Sequence, residues 1–274
     1  MNKNSISILG CGWLGLPLAI SWLAGQYTVK GSATSFDKAS LLASHGIKPS
    51  IIDLKDVSES KLKDFLQASV LVVSVPPRTR TQVPGIYMQQ IQKLANIIQQ
   101  VDTLEHVIYT SSTSVYKDGQ GVVREEDVYD LSQASNQELF EVEQLFLMIP
   151  HKKVSVLRLA GLTGGTRMLA RHFAGKQDLR GGAQPVNLVH VEDAVGAIKF
   201  VVAKGLSGTF NVCAPAHPTK KDFYTQLSLR FGLEKPSFNA EEVANGKTVD
   251  STKLSRNGYT YAFPDPYLFS YEGY

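Results

Sequence analysis

The chain begins with a short apolar run that leads into three regularly spaced glycines. Residues 5–9 (SISIL) precede Gly10, Gly12 and Gly15, which have the spacing G-x-G-x-x-G. Gly10 permits a tight turn out of a strand, Gly12 leaves room beside the backbone for a pyrophosphate, and Gly15 lets a helix pack closely on the strand. The helical stretch 14–24 then presents its first amides to an anion. This order predicts a dinucleotide-binding site, and the alternative is a glycine-rich turn that has lost its ligand.

Segments with strand character alternate with helical segments over the first 160 residues. The continuous apolar run 70–75 (VLVVSV) is typical of a parallel strand that is buried on both faces. The predicted strands after the first are 28–33, 48–54, 70–75, 106–111 and 153–159, and the predicted helices are 14–24, 61–67, 86–101 and 136–148. Such alternation predicts an α/β protein with a Rossmann-type doubly wound parallel sheet and helices on both of its faces.

The pattern changes after residue 159, where glycines divide the chain into shorter segments. We expect strands at 186–189 and 208–213, a helix at 191–202, and a second helix that begins after the N-cap Thr219. The predicted division is a dinucleotide-binding domain at 1–160 and a small C-terminal substrate-binding part at 161–274, with some segments that return to the main sheet. The aromatic tail from Tyr259 onward is predicted to be a packing arm or a lid.

Composition excludes several classes of partner. The 28 Lys and Arg exceed the 25 Asp and Glu by only three, and they are dispersed, so we predict no nucleic-acid partner. No apolar run approaches the ~20 residues of a membrane span, so no membrane partner is predicted. The two cysteines, Cys11 and Cys213, are far apart in sequence and favour a reducing, cytoplasmic location. The six histidines have no metal-ligand spacing, which predicts that the protein holds no metal.

Five short motifs follow one another along nearly the whole chain. They are 10–15 (GCGWLG), 53–54 (DL), 109–116 (YTSSTSVY), 158–165 (RLAGLTGG) and 187–193 (NLVHVED). In this order and with this spacing, the chain resembles the short-chain dehydrogenase/reductase superfamily, in its extended NAD(P)-dependent epimerase/dehydratase branch. The resemblance implies NAD(P) as the cofactor and a nucleotide-sugar or sugar-like substrate.

The same resemblance implies roles for individual residues. Asp53 would accept a hydrogen bond from the adenine amino group, and Ser112 would orient a substrate hydroxyl or carbonyl. His190 and Asp193 would mostly tie the C-terminal part to the sheet. The implied cofactor-binding residues are Gly10, Gly12, Trp13, Leu14, Gly15, Thr34, Ser35, Asp53, Leu54, Val75, Pro76, Ser111, Leu159 and Gly161.

The end of the second predicted strand bears on which dinucleotide binds. NAD-binding proteins normally place an acidic residue there, where it holds the ribose hydroxyls of adenosine. This chain has Thr34 and Ser35 instead, and Asp37 and Lys38 come slightly later. Without a carboxylate at the strand end, nothing repels a 2′-phosphate, so NADP is predicted over NAD. Related proteins often carry an Arg at the Thr34 position, and that Arg is missing.

The catalytic pair of the superfamily is absent. Its members carry Tyr-x-x-x-Lys on one helix, where the Lys lowers the Tyr pKa and the Tyr serves as a general acid or base. Alignment on Glu143 puts Ser135 at the Tyr position and Leu139 at the Lys position, and no Tyr in the chain has a Lys four residues later. The chain therefore resembles the atypical members of the superfamily.

Few residues offer a replacement for this pair. Tyr116 is a candidate catalytic residue together with Ser112, and the alternative is that Tyr116 is structural. Glu138, one residue before the lost Lys position, is more simply explained as a solvated helix residue. Arg78 and Arg167 follow strand ends, where an Arg can bind a substrate phosphate or carboxylate; the alternative is that they are exposed surface residues.

Two functions from different classes remain open. One is an NAD(P)-dependent oxidoreductase or epimerase, and the other is a non-catalytic module that binds NAD(P) for regulation or redox sensing. A third possibility is an interaction scaffold that binds no dinucleotide.

The helical segment 139–149 is apolar on more than one face, which predicts either a homodimer contact or burial within the chain.

Overall fold

The computed structural model describes residues 4–77, 85–239 and 245–272. Strands and helices alternate through the first half of the chain, in agreement with the sequence pattern. The elements are β1 (Ser5–Leu9), α1 (Gly15–Ala24), β2 (Thr28–Ala33), α2 (Phe36–Ser44), β3 (Lys48–Ile51), α3 (Glu59–Leu66), β4 (Val70–Val73), α4 (Ile86–Ile98) and β5 (His106–Ser112).

The second half of the chain has shorter strands. Its elements are β6 (Gly121–Val123), α5 (Gln137–Leu147), β7 (Lys153–Leu159), β8 (Gly161–Thr163), β9 (Leu188–His190), α6 (Val191–Lys204), β10 (Gly208–Val212), α7 (Lys220–Arg230), β11 (Lys247–Val249) and α8 (Thr252–Arg256). Thr219 is the N-cap of α7, as predicted, and its hydroxyl accepts a hydrogen bond from the amide of Asp222.

Seven strands form one sheet in the order β3-β2-β1-β4-β5-β7-β10. The pairings from β3 through β5 are all parallel. Winding runs from β1 outward to β3 on one side and from β4 outward on the other, so the order reverses between β1 and β4. The predicted α/β class with a Rossmann-type doubly wound parallel sheet is confirmed.

The register of the sheet aligns the ends of neighbouring strands. Leu9, the last residue of β1, pairs with Val73, the last residue of β4. Ala33, at the end of β2, pairs with Ile51 at the end of β3. The loops after these strands therefore leave from one edge of the sheet, which is where ligands bind in open α/β sheets.

The predicted element bounds differ from the structure in a few places. β3 ends at Ile51 and not at Leu54, because the chain turns at Asp53, whose carbonyl accepts the amides of Asp56 and Val57. α2 was not predicted at all. It buries only Ala39 and Leu42 and so leaves little apolar periodicity for a sequence pattern to detect.

The chain divides into two compact units, each built from separate stretches. The first unit contains the residues up to Ser111, together with Gln137–Leu157 and Ile198–Thr209. The second contains Ser112–Asn136, Arg158–Ala197 and Phe210–Tyr274. One transition, between Leu157 and Arg158, lies close to the predicted boundary after residue 160; the division into 1–160 and 161–274 stays a prediction.

Helix α5 is buried within its own unit. It packs against α4, and its side chains Leu139, Phe140, Val142 and Phe146 are at most 4% exposed. Burial inside one chain accounts for the apolar pattern of this helix. The homodimer, which was the alternative explanation of that pattern, stays a prediction.

A buried polar network organises the second unit. Arg158 is 1% exposed, and its guanidinium donates to the hydroxyl of Tyr116 and to the carbonyl of Glu125. The Tyr116 hydroxyl in turn donates to Asn211. The Glu125 carboxylate accepts a hydrogen bond from the backbone N–H of Asn211. Each member of this buried network therefore has a hydrogen-bond partner.

The aromatic tail is anchored by one carboxylate. Asp193, which is 2% exposed in the first turn of α6, accepts the amides of Ala262 and Phe263 at 2.7 and 2.9 Å. The centroid of the Phe263 ring lies 3.9 Å from that of the His190 ring. His190 belongs to β9, which pairs with β8 in a two-stranded sheet and is not part of the seven-stranded sheet. These contacts make the tail a packing arm.

Replacing Asp193 with Asn should destabilise the protein. The neutral amide keeps the shape but cannot accept both backbone amides as a carboxylate does, and lost hydrogen bonds to a buried charge cost about 1.5–3 kcal/mol. Thermal and denaturant unfolding of Asp193→Asn would measure the loss. Glu192→Gln, at the exposed neighbouring residue, is the control and should unfold like the unmodified protein. Equal stability of the two variants would contradict the anchoring role.

Candidate functional site

The three glycines of the loop after β1 have different surroundings. Gly10 has a φ of +95°, and a Cβ there would lie 2.5 Å from the Ser74 carbonyl oxygen. A Cβ at Gly15 would lie 2.6 Å from the Gly10 carbonyl oxygen, whereas one at Gly12 would meet no atom within 4 Å. Two glycines are thus required by the packing of the protein itself. Gly12 is required only if something else occupies the space beside it.

That space belongs to a cavity of about 210 Å³ within the first unit, at the edge where β1, β2 and β4 end. The cavity walls come from the loops that follow these strands and β3, and from the first turns of α2 and α4. Seven of the predicted cofactor-binding residues line it: Gly10, Gly12, Thr34, Asp53, Leu54, Val75 and Pro76. The structure therefore brings together residues from four separate loops.

Other predicted cofactor residues lie outside the lining of this cavity. Trp13 follows Gly12 in the loop, Leu14 is the N-cap of α1, and Gly15 is its first residue. Ser35 is the N-cap of α2, and its hydroxyl makes no capping hydrogen bond.

Two further predicted cofactor residues belong to the second unit. Leu159 ends β7, and Gly161 begins β8, where its amide donates to the Asn187 carbonyl. The assignment of these residues to a cofactor stays a prediction.

Several lining residues were missed by sequence reasoning. Ser32 holds the glycine loop, because its hydroxyl accepts the Gly10 amide at 2.7 Å and its carbonyl accepts the Cys11 amide at 3.0 Å. Lys38 reaches the cavity from the first turn of α2, and Tyr87 and Gln90 reach it from α4. Lys38 was noticeable as a cation just after the second strand. No sequence signal marks Tyr87, because packing alone explains the apolar periodicity of its helix.

Two buried tyrosines lie next to the cavity. The Tyr87 hydroxyl donates to the Val75 carbonyl at 2.9 Å and lies 3.2 Å from the Tyr109 hydroxyl. Burial raises the pKa of Tyr87 to about 12, and burial also raises the pKa of Tyr109 well above its ordinary value. The negative charge of Glu138 raises both further. Both hydroxyls therefore remain protonated near neutral pH and serve as hydrogen-bond donors, not as bases.

The positions of the missing catalytic pair are unsuited to proton transfer. Ser135 precedes α5, which begins at Gln137, and its amide donates to the Val115 carbonyl. Leu139 is an apolar side chain that is 3% exposed. Glu143 is fully buried and accepts a short hydrogen bond, 2.5 Å, from the hydroxyl of Ser111. The Ser111 hydroxyl, a predicted cofactor ligand, thus already has a partner inside the protein.

The predicted catalytic residues lie in the second unit. Ser112 is half-buried, and its hydroxyl accepts the amide of Ser114 at 3.1 Å, which stabilises the short 3₁₀ turn at 113–115. Tyr116 is fully buried, and its hydroxyl joins Arg158 to Asn211. Burial raises the pKa of Tyr116 to about 12, even though Arg158 lies beside it. These contacts favour a structural Tyr116, and its catalytic assignment stays a prediction.

The two predicted substrate-binding arginines have different outcomes. Arg78 lies outside the described residues. Arg167 is exposed and follows the turn at Gly164 and Gly165, as its place in the sequence indicated. Its backbone carbonyl accepts the Gly164 amide and the Thr163 hydroxyl, so the turn is held by main-chain contacts. Substrate binding by either arginine stays a prediction.

Within residues 4–77, 85–239 and 245–272, no helix is long and apolar enough to cross a membrane. The same residues contain no group of three or more His, Cys, Asp or Glu side chains that would hold a metal ion.

Solved structures of other proteins share this fold. MoeE5, in complex with UDP-glucose and NAD, superposes with a TM-score of 0.77 at 19% identity over 96% of this chain and 95% of that one. UDP-glucuronic acid 4-epimerase from Bacillus cereus, in complex with UDP-glucuronic acid and NAD, gives 0.72 at 18% identity over 92% of both chains. The chain shares its fold with these epimerase-like proteins, so the resemblance drawn from the five motifs is confirmed at the level of the fold.

Sequence comparison gives the family. No family model matches the chain. Protein YeeZ of Escherichia coli (strain K12) is 36% identical over 275 residues, which cover 98% of this chain and 100% of that protein. The chain belongs to the family of protein YeeZ.

The glycine loop yields a test of stability. Gly10→Ala should destabilise the protein, because a left-handed backbone costs a non-glycine residue about 1–2 kcal/mol and the new Cβ would also meet the Ser74 carbonyl. Gly12→Ala is the matched control and should unfold at the unmodified temperature, because its Cβ meets no atom. Thermal unfolding followed by circular dichroism measures both. Equal losses would contradict the distinct roles given to the two glycines.

Proposed function

We propose that this protein binds NADP in the cavity of the first unit and acts on a nucleotide sugar or a related sugar. The observation that carries the proposal is the contrast among the three glycines. Two are required by the contacts of the protein itself, while Gly12 borders open space in the cavity. A glycine that internal packing does not require is expected where a phosphate approaches the backbone closely.

The residues around the cavity fit the parts of a dinucleotide. The glycine loop would hold the pyrophosphate, Asp53 and Leu54 the adenine, and Val75 and Pro76 the adenosine ribose. The Asp53 carboxylate is exposed, and among the described residues it accepts only the amide of Lys55, so it remains able to accept a ligand hydrogen bond. When bound, the nicotinamide supplies hydride-transfer chemistry.

A preference for NADP is supported by the end of β2. Thr34 and Lys38 line the cavity there, and Asp37 is not among its lining residues. A lysine attracts a phosphate, and a strand end without a carboxylate does not repel one. The uncapped N-terminus of α2 at Ser35 adds a favourable dipole for an anion.

A sugar substrate is proposed by analogy with proteins that share the fold. Two of them hold UDP sugars together with NAD. Because both match at under 20% identity, they show the fold alone, and the substrate class stays part of the proposal. In this proposal Ser112 would orient the substrate.

Neither cysteine forms a disulfide, which supports the predicted cytoplasmic location.

A second candidate function is a module that binds NADP and catalyses nothing. It is favoured by the buried Leu139 at the Lys position and by the raised pKa of Tyr116. Incubation of the protein with NADP and UDP-glucose, or with NADP and UDP-glucuronic acid, separates the two functions. Appearance of reduced nicotinamide or of an epimerised sugar on chromatography supports the enzyme, and NADP binding without either product supports the module.

Gly12→Val should abolish dinucleotide binding. The valine side chain would occupy the space into which the pyrophosphate fits. Folding should be preserved, because a Cβ at position 12 meets no atom of the protein within 4 Å. Calorimetric titration with NADPH should show a loss of more than about 100-fold, which is over ~2.7 kcal/mol. An unaltered circular dichroism spectrum verifies folding. Unchanged affinity for NADPH would overturn the cofactor site.

Lys38→Ala should weaken NADPH binding by about tenfold and leave NADH binding nearly unchanged. A charge-assisted hydrogen bond to the 2′-phosphate contributes about 1.5–3 kcal/mol when buried, and less at an exposed lysine such as this one. Lys48→Ala, an exposed lysine at the start of β3, is the control. Equal losses for NADPH and NADH, or tighter binding of NADH by the unmodified protein, would contradict the NADP preference.

A further inference from the structure

A second cavity, of about 220 Å³, lies within the second unit. It forms where the segment before β6, the residues leading into β9, the first turns of α7 and the start of β11 come together. Its polar lining residues are Asp118, Gln184, Asn187, Lys220, Tyr224 and Lys247. None of them belongs to the cofactor, catalytic or substrate residues predicted from the sequence.

Two lysine side chains converge on this cavity from different elements. Lys220, the first residue of α7, donates through Nζ to the Gln184 side-chain oxygen at 2.8 Å. It forms no ion pair with any residue in the described part of the chain. Lys247, from β11, donates to the Tyr116 carbonyl at 2.6 Å and lies 3.2 Å from the Asp118 carboxylate.

The ion pair at Lys247 is weak. The Asp118 side chain is 68% exposed, whereas that of Lys247 is 15% exposed. Such a pair with one exposed partner contributes at most about 1 kcal/mol. A more highly charged anion entering the cavity can therefore replace the aspartate beside the lysine.

The remaining polar groups favour an anion or are already engaged. The side-chain amide of Asn187 donates to the Lys247 carbonyl and accepts a hydrogen bond from the backbone N–H of Val249. Asn187 is therefore already engaged in holding the backbone of β11. Burial raises the pKa of Tyr224, and its hydroxyl stays protonated as a donor. Two lysines against a single exposed aspartate leave the lining net positive. The positive end of the α7 dipole, at Lys220, acts in the same direction.

We propose that this cavity binds a phosphate group of a small-molecule substrate, with Lys220 and Lys247 as its ligands and Asp118 as the competitor that the phosphate displaces. The inference rests on the proposed function in taking the substrate to be sugar-like. The paired lysines of the lining match the charge of a phosphate, so the cavity is assigned to the phosphate-bearing part of that substrate. The phosphate belongs either to the diphosphate of a nucleotide sugar or to a sugar phosphate.

Calorimetric titration tests this site with three ligands: UDP-glucose, glucose 1-phosphate and inorganic phosphate. Each is titrated with and without saturating NADPH, which keeps the first-unit cavity from contributing. Lys220→Ala should weaken binding of the organic ligand by about tenfold, the value of one charge-assisted hydrogen bond. Asp118→Asn should tighten it, because the competitor for Lys247 is gone. Lys221→Ala, an exposed lysine next in the chain, is the control and should change nothing.

Opposite effects at Lys220 and Asp118 support the site, because a general loss of folding would lower affinity in both variants. Binding of UDP-glucose alone identifies the nucleotide diphosphate, and binding of glucose 1-phosphate identifies the sugar phosphate. No binding of either organic ligand, or equal losses in Lys220→Ala and Lys221→Ala, overturns the proposal. Absence of NADPH binding would instead refute the cofactor assignment, and the titrations without NADPH would still report on the second cavity.

Discussion

The contact between Gly10 and the end of β4 determines the path of the chain at the cavity of the first unit. The parallel register sets Leu9 level with Val73, so the chain leaves β1 directly beside the Ser74 carbonyl. Only a glycine fits at that point, with a positive φ that other residues rarely adopt. The sharp turn allows α1 to begin five residues later, and it leaves Gly12 facing the cavity. Strand register, turn geometry and ligand space therefore depend on one another.

How much of this was visible in the sequence depends on the strength of each local signal. The apolar runs of β1, β4 and β5 and the glycine spacing predicted the parallel sheet, and the resemblance to the epimerase/dehydratase branch implied seven of the residues that line the cavity. Helix α2 was not predicted, because it buries only two side chains and its sequence has little apolar periodicity. Lys38 and Tyr87 were missed as lining residues, since their positions depend on how separate helices meet the strand ends. The polar network around Arg158 joins residues from separate segments of the chain, and no periodicity indicates it.

Burial distinguishes Tyr87 and Tyr116 from the catalytic tyrosine of the superfamily that the chain resembles. A general base needs a pKa near the working pH, which a neighbouring lysine provides in typical members. Here burial raises the pKa of Tyr87 and Tyr116 to about 12. The two positions of the superfamily's pair hold Ser135 and Leu139, which cannot transfer protons in its place. Lys220 and Lys247 of the second unit, in contrast, have a proposed role in binding an anion.

The division of the chain has a consequence for its evolution. Each unit is assembled from three stretches, and the chain passes from one unit to the other at Ser111, Asn136, Leu157, Ala197 and Thr209. A single genetic crossover therefore cannot exchange one unit for that of another protein without splitting the other unit as well. Changes in the second-unit cavity are thus expected to arise by point substitution, while the first-unit cavity is inherited together with it.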